Sequence, residues 1–112
     1  MSRAYTTEEV RTMFLEHIAA IVHWWDRETR ATTSREKLEG LAFSIMCALD
    51  GCSVGLPAFA IIPLPASEDK SYCIENDENW FPEITELSDV EKNDIGGGLH
   101  EVLHKYMDPH RT

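Results

Sequence analysis

Ala58-Phe59-Ala60-Ile61-Ile62-Pro63-Leu64 is the stretch on which the fold turns. It is short and apolar, with prolines at 57, 63 and 65. A proline cannot donate to a strand ladder, so the segment reads as a short strand or an edge strand. Residues 66–70 read as a turn and Ser71-Tyr72-Cys73-Ile74 as a second strand, which predicts a β-hairpin. Placed among helices, that hairpin makes the expected fold α+β: two N-terminal helices, a short β-hairpin, an acidic loop and a C-terminal helix, in one domain over residues 1–112.

Upstream, both helices announce themselves by their caps. Thr6 is followed three residues later by Glu9, a capping-box pattern. Val10, Met13, Phe14, Ile18, Ile21, Trp24 and Trp25 then fall in one arc about 140° wide at 100° per residue, the core-facing stripe of a surface helix. His17 lies inside that arc and reads as a hydrogen-bonded core residue; His23 lies outside it. Trp24 and Trp25 point about 100° apart, so at least one of them faces the core. Thr33 with Glu36 is a second capping box, and Gly51 is a plausible helix stop. Between them the helix is apolar nearly all round from Leu41 onward, which marks it as the central one. Small Gly40, Ala42 and Ala48 would let neighbours come close.

Downstream, residues 68–94 carry ten acidic side chains and two lysines, −8 of the chain's net −10. Glu75, Asp77 and Asn79 alternate as oxygen donors, yet the glycine and distal glutamate of a calcium loop are missing. A charge run of this kind is ordinarily a solvated face. Trp80-Phe81, set inside it, either plugs the loop onto the core or stands ready for a partner; packing arguments favour the plug.

The composition, 43% hydrophobic and 27% charged over 112 residues, is that of a globular protein with one modest core. The negative balance argues against direct nucleic-acid binding, which needs a cationic face. Three cysteines without a C-x-x-C pair, Cys47, Cys52 and Cys73, read as buried reduced thiols. No apolar signal core or bilayer-length run is present, so the expectation is a cytoplasmic protein with no membrane association.

The last helix, expected from an Asp94 N-cap through Gly96-Gly97-Gly98, contains His100-Glu101-Val102-Leu103-His104. This is the H-E-x-x-H pattern in which two histidines hold zinc and the glutamate acts as general base. With His110 the spacing resembles the zinc helix of the metzincin proteases, which implies His100, His104 and His110 as ligands and Glu101 as the base. The likeness covers residues 100–110 only. Met107 stands where that family has its glycine, and no methionine turn follows. The apolar stripe Ile95, Leu99, Val102, Leu103, Tyr106 also turns His100 and His104 outward, so an exposed helix face is the plainer reading. The glycines themselves suggest a close backbone approach or an anion nest, without the lysine of a phosphate loop behind them.

The blocks 35–51, Glu78-Asn79-Trp80-Phe81-Pro82 and Asp94-Ile95-Gly96-Gly97-Gly98-Leu99-His100-Glu101 resemble a group of small uncharacterised proteins from phages and mobile elements of proteobacteria. The group implies no activity, but its setting implies an inhibitor of host defence, anti-CRISPR-like, that acts by binding. The expected function is therefore an acidic protein-interaction module without a cofactor, favoured over catalysis. Asp77, Glu78, Trp80, Phe81, Glu83 and Glu86 would meet a partner with a basic surface. The alternative is a zinc-dependent hydrolase built on the histidine segment. A homodimer fits the small core and the free strand edge.

Overall fold

The computed structural model describes residues 2–31 and 33–107. Its regular elements are helices: α1 Thr7–Arg27, α2 Ser34–Asp50, α3 Asp69–Glu75, α4 Leu87–Asn93, α5 Leu99–Val102 and α6 His104–Met107. Among the described residues there is no strand, so the expected α+β class with its hairpin is wrong and the fold is all-α. The argument for a homodimer from a free strand edge goes with it. No described helix is long and apolar enough to cross a membrane. The chain divides into two compact units, one of Met1–Ala58 with Gly98–Thr112 and one of Phe59–Gly97.

In the first unit the caps fall where the sequence placed them. Thr6 Oγ1 accepts from the Glu9 N–H at 3.2 Å, and the Glu9 carboxylate accepts from the Thr6 N–H at 2.8 Å. Arg3 closes on the same carboxylate at 2.7 Å. The Arg3 guanidinium, with the Thr6 N–H, holds the Glu9 carboxyl down to about 2. Thr33 caps α2 through the Glu36 N–H at 3.1 Å. Gly51 ends α2 at φ +84°, and the Cys52 N–H closes a six-residue turn onto the Cys47 carbonyl at 2.9 Å. A β-carbon at Gly51 would stand 2.8 Å from the Ala58 nitrogen, so both torsion and space demand glycine there.

The joint between α1 and α2 is made by Trp25. Its indole N–H donates to Ser44 Oγ at 2.9 Å, and its ring covers Gly40 so closely that a β-carbon would meet ring carbons at 2.2–2.4 Å. Lys37 donates to the Asp26 carbonyl at 3.0 Å, a cation on the carbonyl end of α1. Helix α2 touches both α1 and α5, which makes it the central element of this unit. Ala48, in its last turn, is fully buried, whereas Leu38 and Phe43 are exposed. The sequence's stripe on α1 is half-buried at Val10, Met13, Phe14, Ile18, Ile21 and Trp25, with His17 among them; Trp24 and His23 are exposed.

The second unit shows why the hairpin fails. Pro63 and Pro65 remove donors, as does Pro57 just before the unit, and residues 59–65 run without regular structure. Ile61 is tied down at two points: its N–H donates to Asp94 Oδ1 at 2.8 Å, and its carbonyl accepts from the Ile95 N–H at 2.8 Å. That is an anchor, not a ladder. The second expected strand, residues 71–74, lies inside α3. Asp69 Oδ2 accepts from the Ala66 N–H at 3.1 Å and closes the turn that leads into the helix, while four residues with one β-branched side chain carry little strand preference against it. The far end of α3 is a Schellman turn. The Glu78 N–H bonds the Cys73 carbonyl at 2.8 Å, the Asp77 N–H bonds the Ile74 carbonyl at 3.3 Å, and Asp77 itself sits at φ +54°. The acidic loop is likewise partly helical. Asp89 Oδ2 accepts from the Thr85 and Glu86 N–H groups at 2.9 and 3.1 Å at the start of α4.

The C-terminal helix is also shorter than expected. Asp94 does not cap it; its carboxylate accepts from the Ile61 and Gly96 N–H groups, which hold the carboxyl below its usual range. Gly97 and Gly98 take positive φ, and helix begins only at Leu99. Leu103 interrupts it before α6.

Candidate functional site

The residues expected to meet a partner all belong to the Phe59–Gly97 unit, and Asp77, Glu78, Trp80, Phe81, Glu83 and Glu86 are all exposed. Phe81 is 70% exposed and Trp80 45%, so the favoured plug reading does not describe them. Lys70 organises the group: its ammonium lies 5.6 Å from the Trp80 ring centroid and 3.8 Å from the Glu83 carboxylate. A cation over the indole face orients the ring without burying it. Tyr72, Ile74, Leu87 and Ile95 of the same unit are exposed as well, and no described residue in it is buried. A unit of this size has little means of hiding its own apolar side chains.

The zinc residues do not assemble as the motif implies. Glu101 and His104 are exposed, and His110 lies outside the described residues. No cluster of three or more metal-ligating side chains occurs among the described residues. His100 contradicts the helical-wheel reading. It is turned inward, its side chain only 20% exposed, because the face that meets α2 runs through Leu99, Leu103 and Met107, with His100 beside them. The wheel's stripe also took in Ile95, Val102 and Tyr106, all of which are exposed.

His100 is held by Asp50, the last residue of α2. Asp50 Oδ2 accepts from the His100 backbone N–H at 2.8 Å and lies 2.6 Å from its Nδ1. The Asp50 side chain is 2% exposed. Burial alone would raise its carboxyl; the His100 backbone and ring, with the Leu99 N–H, outweigh burial and hold it below its ordinary value. Its other oxygen, Oδ1, is buried without a hydrogen-bond partner. The Phe43 ring meets the imidazole edge to face, centroids 5.7 Å apart. Cys52 Sγ stands 3.9 Å from both ring nitrogens. Cys52 is exposed and Cys47 and Cys73 half-buried, which corrects the uniform expectation of buried thiols.

Sequence reasoning did not find this group. Residues 50 and 52 sit at a helix stop and His100 is half a chain away, so no spacing rule connects them. The one available signal was an aspartate and a cysteine flanking the terminating Gly51.

A cleft of about 290 Å³ shares Phe43 with the group and is lined otherwise by Gly40, Leu103 and Met107 with the polar Glu36, Glu39 and His104. No protein-family model, curated protein or solved structure matches this chain.

Proposed function

We propose that the chain is a protein-interaction module whose Phe59–Gly97 unit docks onto a basic partner surface. One observation carries the reading: a single small unit holds −8 of the net charge and leaves Tyr72, Ile74, Trp80, Phe81 and Leu87 exposed. Charge of one sign steers encounter with a surface of the other, and aromatic side chains supply most of the affinity once water is excluded. The partner is a protein presenting lysines and arginines around an apolar recess that accepts Trp80 and Phe81. Action by binding in the cytoplasm, as an inhibitor of host machinery carried by a phage or mobile element, is the setting that fits these features. No observation favours the zinc hydrolase as a second reading.

The test is capture from proteobacterial lysate with the whole chain at low salt, followed by a salt series on the isolated partner. The expected result is one stoichiometric partner whose affinity falls steeply with salt and drops about 30-fold or more in Trp80→Ala/Phe81→Ala, the loss of about 2 kcal/mol typical of a hot spot. A partner that binds the double variant unchanged refutes the reading.

A further inference from the structure

We propose that Cys52 is a thiol-modification site for low-molecular-weight disulfides, with His100 as its base, Asp50 as the positioning residue of that base and Cys47 as the resolving thiol. Three features of the first unit carry this.

The first is the Asp50–His100 pair. A carboxylate only accepts, so the 2.6 Å contact places the proton on His100 Nδ1 and leaves the lone pair of the neutral ring on Nε2. The backbone bond from the same oxygen fixes His100 at its amide as well as at its ring. The second is Cys52. It is exposed, and its sulfur lies 3.9 Å from both ring nitrogens, on the Cε1 side of the imidazole or above its plane. At 3.9 Å from Nε2 the thiol is within the reach of a sulfur hydrogen bond to the ring's free lone pair. The third is the turn that ends α2. The hydrogen bond from the Cys52 N–H to the Cys47 carbonyl, 2.9 Å, folds the two residues against each other, and Cys52 is near enough to act on the Cys47 thiol electrostatically. Burial pushes the half-buried Cys47 thiol up, with Cys52 and Asp50 adding to it, so Cys47 is the slower first attacker of the two.

The chemistry balances as follows. The Cys52 thiol gives its proton to His100 Nε2, and the thiolate attacks one sulfur of the small disulfide. A Cys52–sulfur bond forms, the original S–S bond breaks, and the leaving thiolate takes the proton from His100. The Cys47 thiol then attacks the Cys52 sulfur, forms the Cys47–Cys52 bond and releases the second small thiol with its own proton. Both cysteines are oxidised and one disulfide is reduced to two thiols.

The test treats the whole reduced chain with glutathione disulfide and follows each cysteine by peptide mass spectrometry. Cys52 is expected to react first, and Cys47→Ser to trap the mixed disulfide on Cys52 that the wild type converts to Cys47–Cys52. His100→Gln is expected to slow Cys52 about tenfold or more, as the loss of a positioned base does, while leaving half-buried Cys73 unchanged. Circular dichroism at 222 nm with a urea midpoint is the fold control, because the helices of the first unit carry the substituted residues. Should His100→Gln fail that control, Asp50→Asn is read against it instead, and the Cys47→Ser trap stands independently of both. A Cys52 rate untouched in the folded His100 or Asp50 variant, or no mixed disulfide trapped in Cys47→Ser, overturns the proposal.

Discussion

Replacing Gly40 with alanine sets two physical effects against each other with opposite sign. Helix propensity alone stabilises the change, by about 1 kcal/mol in the middle of α2. Packing opposes it. The new β-carbon would lie 2.2 Å from the nearest Trp25 ring carbon, about 1.3 Å inside the closest comfortable contact of roughly 3.5 Å. The ring edge can swing away only by lifting off α2, which breaks the bond from its indole N–H to Ser44, about 1 kcal/mol, and disturbs the joint by the roughly 1–3 kcal/mol usual for overpacking. The balance is a net loss of about 1–3 kcal/mol. Urea unfolding followed by circular dichroism at 222 nm measures it directly. The cycle with Trp25→Ala sharpens the test. In that background the clash is gone, and Gly40→Ala should stabilise by its full propensity gain. A sign reversal between the two backgrounds is the expected signature. Stabilisation by Gly40→Ala with Trp25 present would refute the α1–α2 joint described above.

Two further outcomes follow from single residues. Asp77 occupies the left-handed position of the Schellman turn after α3, where glycine carries no Cβ strain. Asp77→Gly should therefore stabilise the chain by a few tenths to about 1 kcal/mol, and Asp77→Val should destabilise it, both read from urea midpoints. The Asp50 carboxyl is depressed in the folded state, so its contribution is present above the ordinary carboxyl value of 3.8 and is lost as pH falls below it. Wild type should exceed Asp50→Asn by about 1.5–3 kcal/mol at pH 7, the range for a hydrogen bond to a charged group, with the gap closing as the pH is lowered. A gap that is constant from pH 7 to pH 3 would show that the carboxylate charge is not what holds His100.

What could be read from the sequence was local. The Thr6–Glu9 capping box, the Thr33 N-cap and the Gly51 stop each act within one turn of chain and stand where the pattern put them, though at Thr33 the Glu36 carboxylate meets the threonine hydroxyl. That Gly40 admits a close neighbour, and that one of Trp24 and Trp25 faces inward, are both legible in the sequence; that Trp25 is the neighbour is not. The hairpin is not legible because an apolar run bounded by prolines looks like a strand whether or not a neighbour supplies a ladder. The features that overrule it, the Ala66–Asp69 turn and the turn at Asp77, have the same sequence pattern as loop chemistry. At residues 95–106 the wheel assumed one straight helix. Gly97, Gly98 and the interruption at Leu103 shift the inward face and carry His100 with it. The Asp50–His100–Cys52 group depends on a contact between residues 50 apart in sequence, which no periodicity reports.

The central claim, docking through the Phe59–Gly97 unit, is tested most directly by mapping where a captured partner sits. Lysine crosslinking of the complex with peptide mass spectrometry suits the chain, because Lys70 and Lys92 lie in that unit while Lys37 and Lys105 lie in the other. The account predicts intermolecular crosslinks from Lys70 and Lys92. Intermolecular crosslinks confined to Lys37 and Lys105 would contradict it.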